Sequence, residues 1–116
     1  MTYDPSCVFC KIVRRDIPAD EVLRNDYVVA FRDLDPVAPT HILVVPTTHV
    51  AHLSDFAALD NAEASARLLA AAAEVGARYC ARGYRVVTNV GPDAGQEVNH
   101  LHLHVLGGRK LTWPPG

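Results

Sequence analysis

Residues 100–106 read His-Leu-His-Leu-His-Val-Leu, and this stretch constrains the fold more than any other part of the chain. In a β-strand, successive side chains point to opposite faces, so the three histidines share one face and the aliphatic residues share the other. A slip of one residue in strand pairing would send the imidazoles into the core, so burial of the aliphatic face fixes the register. The pattern predicts a strand over residues 98–106 that presents His100, His102 and His104 together.

The composition is that of one globular domain spanning residues 1–116. Hydrophobic residues make up 49% of the 116 residues and charged residues 21%, which allows one buried core and leaves little room for a second domain. The formal net charge of −2 offers no basic face to duplex nucleic acid. No apolar run approaches the roughly 20 residues of a membrane span, and residues 1–6 lack the features of a signal peptide. We expect a cytoplasmic protein without nucleic-acid or membrane partners.

Apolar runs bounded by turn residues predict four further strands. They cover residues 21–25, 27–33, 41–45 and 84–90. The first two are joined by Asn25-Asp26, a pair suited to the tight turn of a hairpin. The continuous apolar run of residues 41–45 is typical of a central strand.

Two helices complete the predicted fold. Residues 7–15 carry an apolar stripe behind Asp4-Pro5-Ser6, which offers helix caps, and residues 62–82 are rich in strong helix formers. Asp60 and Glu63 have the spacing of a capping box, and Gly83 is expected to close the long helix. The elements add to an α+β domain with about five largely antiparallel strands, one long helix and a short N-terminal helix. Because a small open sheet has edges to cover, we expect pairing with a second copy as a homodimer.

The three cysteines are an odd number in a chain without an export signal, which favours reduced thiols over a disulfide framework. Cys80 lies in an alanine-rich helical pattern and is expected to be a small buried side chain. Cys7 and Cys10 form a Cys-x2-Cys pair, whose spacing suits two thiolates on one zinc ion, but redox-active or inert thiols fit the same spacing.

The spacing of the three histidines leaves two kinds of chemistry open. Alternate strand residues can converge on a catalytic zinc, which often takes three protein ligands and a water. A neutral imidazole can instead attack phosphorus and form a covalent intermediate. The loop before the strand contains Asn89, Gly91, Gly95 and Gln96, and glycines of this kind allow backbone amides to face an anion. The loop therefore favours a phosphate-bearing substrate.

The chain resembles one known family in several segments. The glycine loop and the histidine stretch match the histidine triad motif, His-h-His-h-His-h-h, in which h is hydrophobic. The resemblance continues at Phe9, Lys11-Ile12, Ile17-Pro18, Phe31-Arg32-Asp33, Ala38-Pro39-Thr40-His41, Gly107-Gly108-Arg109 and Trp113-Pro114-Pro115-Gly116. These segments are similar to the branch called histidine triad nucleotide-binding proteins, or purine nucleoside phosphoramidases, in its zinc-containing type.

This resemblance implies a homodimeric hydrolase that cleaves purine nucleoside 5′-phosphoramidates, or acyl adenylates, to the nucleoside monophosphate. His102 would attack the α-phosphorus and form a nucleotidyl-imidazole, which water then hydrolyses. His104 and His41 would contact the phosphate or the leaving group. The phosphate oxygens would be held by Asn89, Gly95 and the amide of Val98.

The same resemblance assigns the nucleoside and the tail. Asp33 would bind the ribose hydroxyls, and an apolar slot for the base would be formed by Val8, Phe9, Ile12, Phe31 and Leu34. Trp113 belongs to a C-terminal tail that reaches the partner subunit's site in similar proteins. Glu97 departs from the family pattern, because many relatives carry a serine near the scissile bond at this position.

A structural zinc site follows from the resemblance as well. The zinc-containing members complete the Cys-x2-Cys pair with two histidines, so Cys7, Cys10, His49 and His100 would bind one Zn²⁺. A site with four protein ligands would stabilise the N-terminal helix against the sheet and would not activate water.

Two other functions remain open at this point. The histidines could form the centre of a metal-dependent hydrolase, or the domain could bind nucleotide without turnover and act as an interaction protein. The sequence does not identify the physiological substrate, the leaving group, or a preference between adenine and guanine.

Overall fold

Five antiparallel strands form one sheet in the computed structural model, which describes residues 3–116. The strands are β1 (Glu21–Arg24), β2 (Val28–Arg32), β3 (Thr40–Pro46), β4 (Tyr84–Val87) and β5 (Leu103–Gly107). Their order across the sheet is β1-β2-β3-β5-β4. The predicted fold class is confirmed, and each predicted strand is present over a somewhat different range.

The turn between β1 and β2 is built by Asn25, as the sequence predicts. The Asn25 side-chain oxygen accepts hydrogen bonds from the amides of Tyr27 and Val28, at 2.8 and 3.0 Å. In the middle of the sheet, β3 pairs with β2 on one side and β5 on the other. Both faces of β3 are covered, which explains why its apolar run does not alternate with polar residues.

Three helices pack around the sheet: α1 (Val8–Val13), α2 (Leu53–Ala58) and α3 (Ala62–Tyr79). The sequence did not predict α2. The predicted capping of α3 is wrong at both ends: Asn61 caps its N-terminus by accepting from the Ala64 amide. Cys80 is its C-terminal cap, and Gly83 lies beyond it in a turn with φ +130°. No helix in residues 3–116 is long and apolar enough to cross a membrane.

The two faces of the sheet carry separate hydrophobic clusters. On one face, side chains of β2, β3 and β5 pack against the buried stripe of α3 formed by Leu68, Ala71, Ala72 and Val75. On the other face, α1 packs through Phe9, Cys10 and Ile12 on residues of β2 and β3. The short helix and the long helix therefore stabilise opposite faces of the sheet.

The histidine stretch differs from the predicted continuous strand. Regular pairing begins at Leu103, so His100 and His102 precede β5. The alternation persists, because Leu101 and Leu103 join the cluster beneath α3 while Phe9 of α1 contacts the rings of His100 and His102. The segment before β5 makes a hydrogen bond outside the sheet, in which the Leu101 amide donates to the carbonyl of Val50 at 2.7 Å.

Candidate functional site

His102 is a buried imidazole with one nitrogen tied to the backbone. Its Nδ1 lies 2.7 Å from the carbonyl oxygen of His100. A carbonyl only accepts, so Nδ1 carries the proton and Nε2 keeps its lone pair in the neutral ring. The side chain is 7% exposed, and the Phe9 ring lies edge-on at 5.1 Å between ring centroids. Local backbone geometry thus fixes the tautomer that a nucleophilic imidazole needs.

A chain of hydrogen bonds links His41 on β3 to His104 on β5. The Val37 amide donates to His41 Nδ1 at 3.1 Å, so the proton of neutral His41 is on Nε2. His41 Nε2 lies 2.8 Å from His104 Nδ1 and 3.4 Å from an Asp33 carboxylate oxygen. His104 therefore accepts at Nδ1 and carries its own proton on Nε2.

His104 Nε2 is the one buried side-chain nitrogen or oxygen without a hydrogen-bond partner in residues 3–116. Burial, with smaller contributions from the neighbouring His102 and His41, lowers the pKa of His104 to about 4. The ring is therefore neutral near pH 7. A neutral ring with an unpartnered N–H next to the His102 ring is suited to donate to an oxygen or nitrogen of a bound ligand.

Both nitrogens of His41 have hydrogen-bond partners within the protein, the Val37 amide at Nδ1 and His104 at Nε2. In this arrangement the His41 N–H orients the His104 ring. Burial lowers the pKa of His41, against the opposing effect of Asp33 and Asp35, which favours the neutral ring that this orientation requires.

Four potential metal donors converge between α1 and the sheet: Cys7, Cys10, His49 and His100. His100 Nδ1 lies 3.4 Å from Cys7 Sγ, 3.6 Å from Cys10 Sγ and 3.2 Å from His49 Nδ1. Cys10 Sγ lies 3.3 Å from His49 Nδ1. Tetrahedral zinc with ordinary bond lengths separates its ligands by about 3.3 Å for two nitrogens and about 3.8 Å for two sulfurs. The donor set fits a zinc ion in both chemistry and spacing.

The hydrogen bonds and pKa shifts of these four donors also suit a bound zinc ion. The His100 Nε2–H donates to the carbonyl of Pro46 at 2.9 Å, which leaves the Nδ1 lone pair for a cation. Burial lowers the pKa of His100 to about 4, so the ring is neutral. Burial raises the pKa of Cys10 to about 11, which is the expected cost of a buried thiolate that has no cation beside it.

A mainly apolar cavity of about 260 Å³ lies between α1 and the sheet. Its walls contain the five apolar residues predicted for the base slot, together with Asp33, which the resemblance assigns to ribose. The cavity is also lined by Pro18, Ala19, Asp20, Arg32, Leu43 and Val98, which the sequence analysis did not predict as its walls. Leu43 had one usable signal, because it lies two residues after His41 and period-2 alternation puts both side chains on one face of β3.

A larger cavity of about 430 Å³ lies at the C-terminal end of α3, lined in part by Cys80, Arg82, Arg109 and Lys110. No wall residue of this larger cavity contacts the histidines, whereas the smaller cavity is lined by Asp33, 3.4 Å from His41 Nε2, and by Phe9, whose ring contacts that of His102. The smaller cavity is therefore the better candidate site.

The glycine loop is held together by Gln96. The Gln96 side chain accepts from the Gly91 amide at 3.0 Å and donates to the carbonyls of Ala51 and Val98. The Gly95 amide donates to Pro92. These two glycine amides are engaged within the loop, which departs from the expected anion-binding arrangement. Both glycines have φ of +81°, so their role in the structure is the turn itself.

Two predicted residues are exposed to solvent. Glu97 is exposed on the loop. Trp113 is 80% exposed, with the Arg85 guanidinium of β4 5.8 Å from the centre of its ring. Arg85 also donates to the Thr112 carbonyl at 3.1 Å, so the tail lies beside the edge strand β4.

Comparisons with known proteins agree with this geometry. Residues 14–111 match the family described as HIT domain. The chain is 49% identical to an uncharacterised HIT-like protein of Synechococcus elongatus over 94% of its own length and 96% of that protein. It is 42% identical to the purine nucleoside phosphoramidase of Escherichia coli, over 90% of its own length and 88% of that enzyme.

Solved structures give the same result. A crystal structure of a HIT family hydrolase from Legionella pneumophila superposes with a TM-score of 0.87 at 45% identity, covering 96% of this chain and all of that one. A histidine triad protein from Clostridium difficile superposes with a TM-score of 0.85 at 39% identity, covering 96% and 97%.

Proposed function

The chain belongs to the HIT domain family, and from that premise we propose that it hydrolyses purine nucleoside 5′-phosphoramidates, or acyl adenylates, to the nucleoside monophosphate. The observation that carries the proposal is the hydrogen bond from His102 Nδ1 to the His100 carbonyl. It leaves an unprotonated Nε2 on a buried ring, directly beside the unpartnered N–H of His104. The 42% identical Escherichia coli relative is a purine nucleoside phosphoramidase, which supports the substrate class.

In the proposed reaction His102 Nε2 attacks the α-phosphorus in line with the leaving group. A bond forms between Nε2 and phosphorus while the bond to the leaving nitrogen or acyl oxygen breaks, and a leaving amine takes up one proton. Water then attacks the same phosphorus and gives up one proton, and the monophosphate leaves as His102 regains its lone pair. Two displacements of moderate barrier replace one of high barrier.

His104 supplies the electrostatic part of this mechanism. The ring centroids of His102 and His104 are 4.9 Å apart, so both imidazoles can reach one phosphoryl group. The Nε2–H of His104 donates to a phosphate oxygen or to the departing atom, where negative charge develops. His41 is a positioning residue, because it holds the His104 tautomer through the 2.8 Å bond. Asn89 and the amide of Val98 are the further proposed phosphate contacts.

The nucleoside is proposed to occupy the cavity of about 260 Å³. The base lies among Val8, Phe9, Ile12, Phe31 and Leu34, and Asp33 accepts from the ribose hydroxyls. An exposed Glu97 near the leaving group would disfavour anionic leaving groups by charge repulsion, so we expect amines to be preferred.

The metal centre is proposed to have a structural role in this enzyme. Cys7, Cys10, His49 and His100 would hold one zinc ion, which joins α1 to the sheet when bound. Four protein donors complete a tetrahedral shell and leave no position for a reactive water, which argues against the metal-dependent alternative.

A homodimer is proposed from the edge of the sheet. β4 pairs only with β5 within the described chain, and its Tyr84 and Val86 are 40% and 44% exposed. Pairing of β4 with a second copy would cover this edge and bring the Trp113 tail close to the partner subunit. Sedimentation at micromolar concentration is expected to give a dimer, and a monomer alone would contradict this arrangement.

The reaction is tested with a fluorogenic adenosine 5′-phosphoramidate. Wild-type protein should release the fluorescent amine and AMP, and acid quenching during turnover should trap a nucleotidyl adduct on the peptide containing His102. His102→Ala should do neither, while His52→Ala, which changes a partly exposed histidine outside both clusters, should turn over like wild type. Turnover that survives in His102→Ala would rule out the proposed nucleophile.

A further inference from the structure

The metal centre and the nucleoside cavity share one short helix. Cys7 and Cys10 belong to the metal cluster, and Val8, Phe9 and Ile12 from the same turns of chain line the cavity. The helix α1 has six residues, which is too few to be stable without tertiary contacts. Whatever fixes its position therefore also fixes the wall of the cavity.

The two ends of α1 are anchored in different ways. At the C-terminal end, Arg24 of β1 donates to the carbonyls of Val13 and Ile12, at 2.9 and 3.3 Å, and Glu21 holds the Arg24 guanidinium at 2.8 Å. At the N-terminal end, the contacts run through sulfur: Cys7 and Cys10 approach His100 and His49. Buried sulfur and imidazole groups without a cation make weak contacts, whereas a zinc ion binds all four. A bound zinc ion would therefore strengthen the N-terminal anchor beyond the apolar packing of Phe9 and Cys10 on the sheet.

His100 provides a second link, to the nucleophile. Its Nδ1 lies in the metal cluster, while its carbonyl oxygen accepts the Nδ1–H of His102 at 2.7 Å. Phe9 provides a third link between the metal centre and the nucleophile. The centroid of its ring lies 5.9 Å from that of His100 and 5.1 Å from that of His102. A shift of α1 or of His100 would change both the cavity wall and the orientation of the nucleophile.

We propose that occupancy of the Cys7, Cys10, His49 and His100 centre controls nucleotide affinity, through α1 and the His100 backbone. The inference rests on the proposed function, because it takes a purine nucleotide as the ligand of the cavity. The cysteines act as positioning residues for the nucleotide site. By linkage, a nucleotide in the cavity must raise zinc affinity by the same factor by which zinc raises nucleotide affinity.

The coupling is local because the rest of the fold has its own core. The cluster between α3 and the sheet contains no residue of α1, and α1 packs on the opposite face. Metal-free protein should therefore keep its sheet and its long helix. Hydrogen exchange should increase in residues 7–13 and in residues 98–102, and should stay unchanged in residues 62–79.

The test uses AMP and zinc as the two probes. The AMP dissociation constant is measured by calorimetry on zinc-loaded and metal-free protein, and zinc affinity is measured by chelator competition with and without saturating AMP. We expect tighter binding by a factor of about 10 in each direction, within the usual 5- to 150-fold range of coupling between sites. Cys80→Ala, which removes a buried thiol outside the cluster, should show the same coupling as wild type.

Two results would overturn the proposal. One is an equal AMP dissociation constant in both forms, since it would leave the proposed function intact and remove the coupling alone. The other is loss of the far-ultraviolet circular dichroism of the sheet and α3 on metal removal, since this would replace local coupling with global unfolding. Failure of AMP to bind even the zinc-loaded protein would instead contradict the proposed function itself.

Discussion

Two histidine clusters lie next to each other on one face of the sheet, and they differ in what their neighbours leave available. In the metal cluster, His100 donates Nε2–H to a backbone carbonyl and turns its lone pair toward two thiols and His49. In the second cluster, His41 and His104 bond to each other, and the atom left over is an N–H donor. A lone pair beside thiols suits a cation, and an N–H suits an anion.

His102 lies between the two clusters and takes a third arrangement. Its Nδ1–H is occupied by the His100 carbonyl, and its free lone pair faces no thiol. The three proposed functions of His100, His102 and His104 therefore differ although the side chain is the same, and the hydrogen-bond partner of one ring nitrogen distinguishes them. The comparison predicts that zinc content can still be measured after a substitution in the His41 and His104 cluster, and that turnover can still be measured after a substitution among the four metal donors.

The largest expected effect is on the rate of His102→Ala. We expect kcat/KM for an adenosine phosphoramidate to fall by at least ~10³-fold, because the variant loses the nucleophile. Zinc content should remain that of wild type, since His102 is not among the four donors. Loss of both rate and zinc would show that the two clusters are one site.

The second prediction concerns Cys7→Ala, which removes a proposed metal donor and leaves His102 in place. Elemental analysis should show zinc falling from about one ion per chain to almost none. The melting temperature should drop by about 10 °C, as expected for loss of a few kcal/mol of metal-linked stability in a domain of this size. Cys80→Ala is the matched control, because it also removes one buried thiol. If Cys7→Ala retains a full complement of zinc, the assignment of the donors is wrong.

A smaller effect is expected from His41→Leu. The substitution removes the N–H that holds the His104 tautomer, and we expect kcat to fall by about 10²-fold with KM nearly unchanged. The loss should shrink for substrates with a good leaving group, which need less assistance. An equal loss for good and poor leaving groups would contradict a role through His104.

The smallest predicted effect is on the pH dependence of stability. His104 has its pKa lowered to about 4 in the folded protein from an ordinary value of 6.5, so the unfolded chain binds a proton that the folded protein rejects. This contribution is complete above pH 6.5 and decreases as the pH falls toward 4. Between pH 7.5 and 5, wild type should therefore lose about 2 kcal/mol more than His104→Gln in urea unfolding. Parallel pH curves for the two proteins would contradict a neutral, buried His104.

Much of the fold follows from local patterns in the sequence. The Asn25 turn, the buried β3 run and the helical stripe of Leu68, Ala72 and Val75 were all predictable, because each depends on periodicity or on one side chain bonding its own neighbours. The errors lie at element ends. Asn61 rather than Asp60 caps α3, and α3 ends at Tyr79 rather than Arg82, because caps depend on a few bonds that the surroundings can move by several residues.

The features of the site also separate into those that the sequence determined and those that only the structure determined. The sequence by itself determined that three imidazoles alternate with buried aliphatic residues and that the chain carries a Cys-x2-Cys pair with candidate partners. It could not assign a proton to any ring nitrogen. Only the tertiary structure did so, because the deciding partners are distant or are backbone groups: Pro46 for His100, Val37 for His41, and His41 for His104. The sequence determines which side chains are present, but the tautomer of an imidazole depends on which atoms the fold brings within about 3 Å of its ring nitrogens.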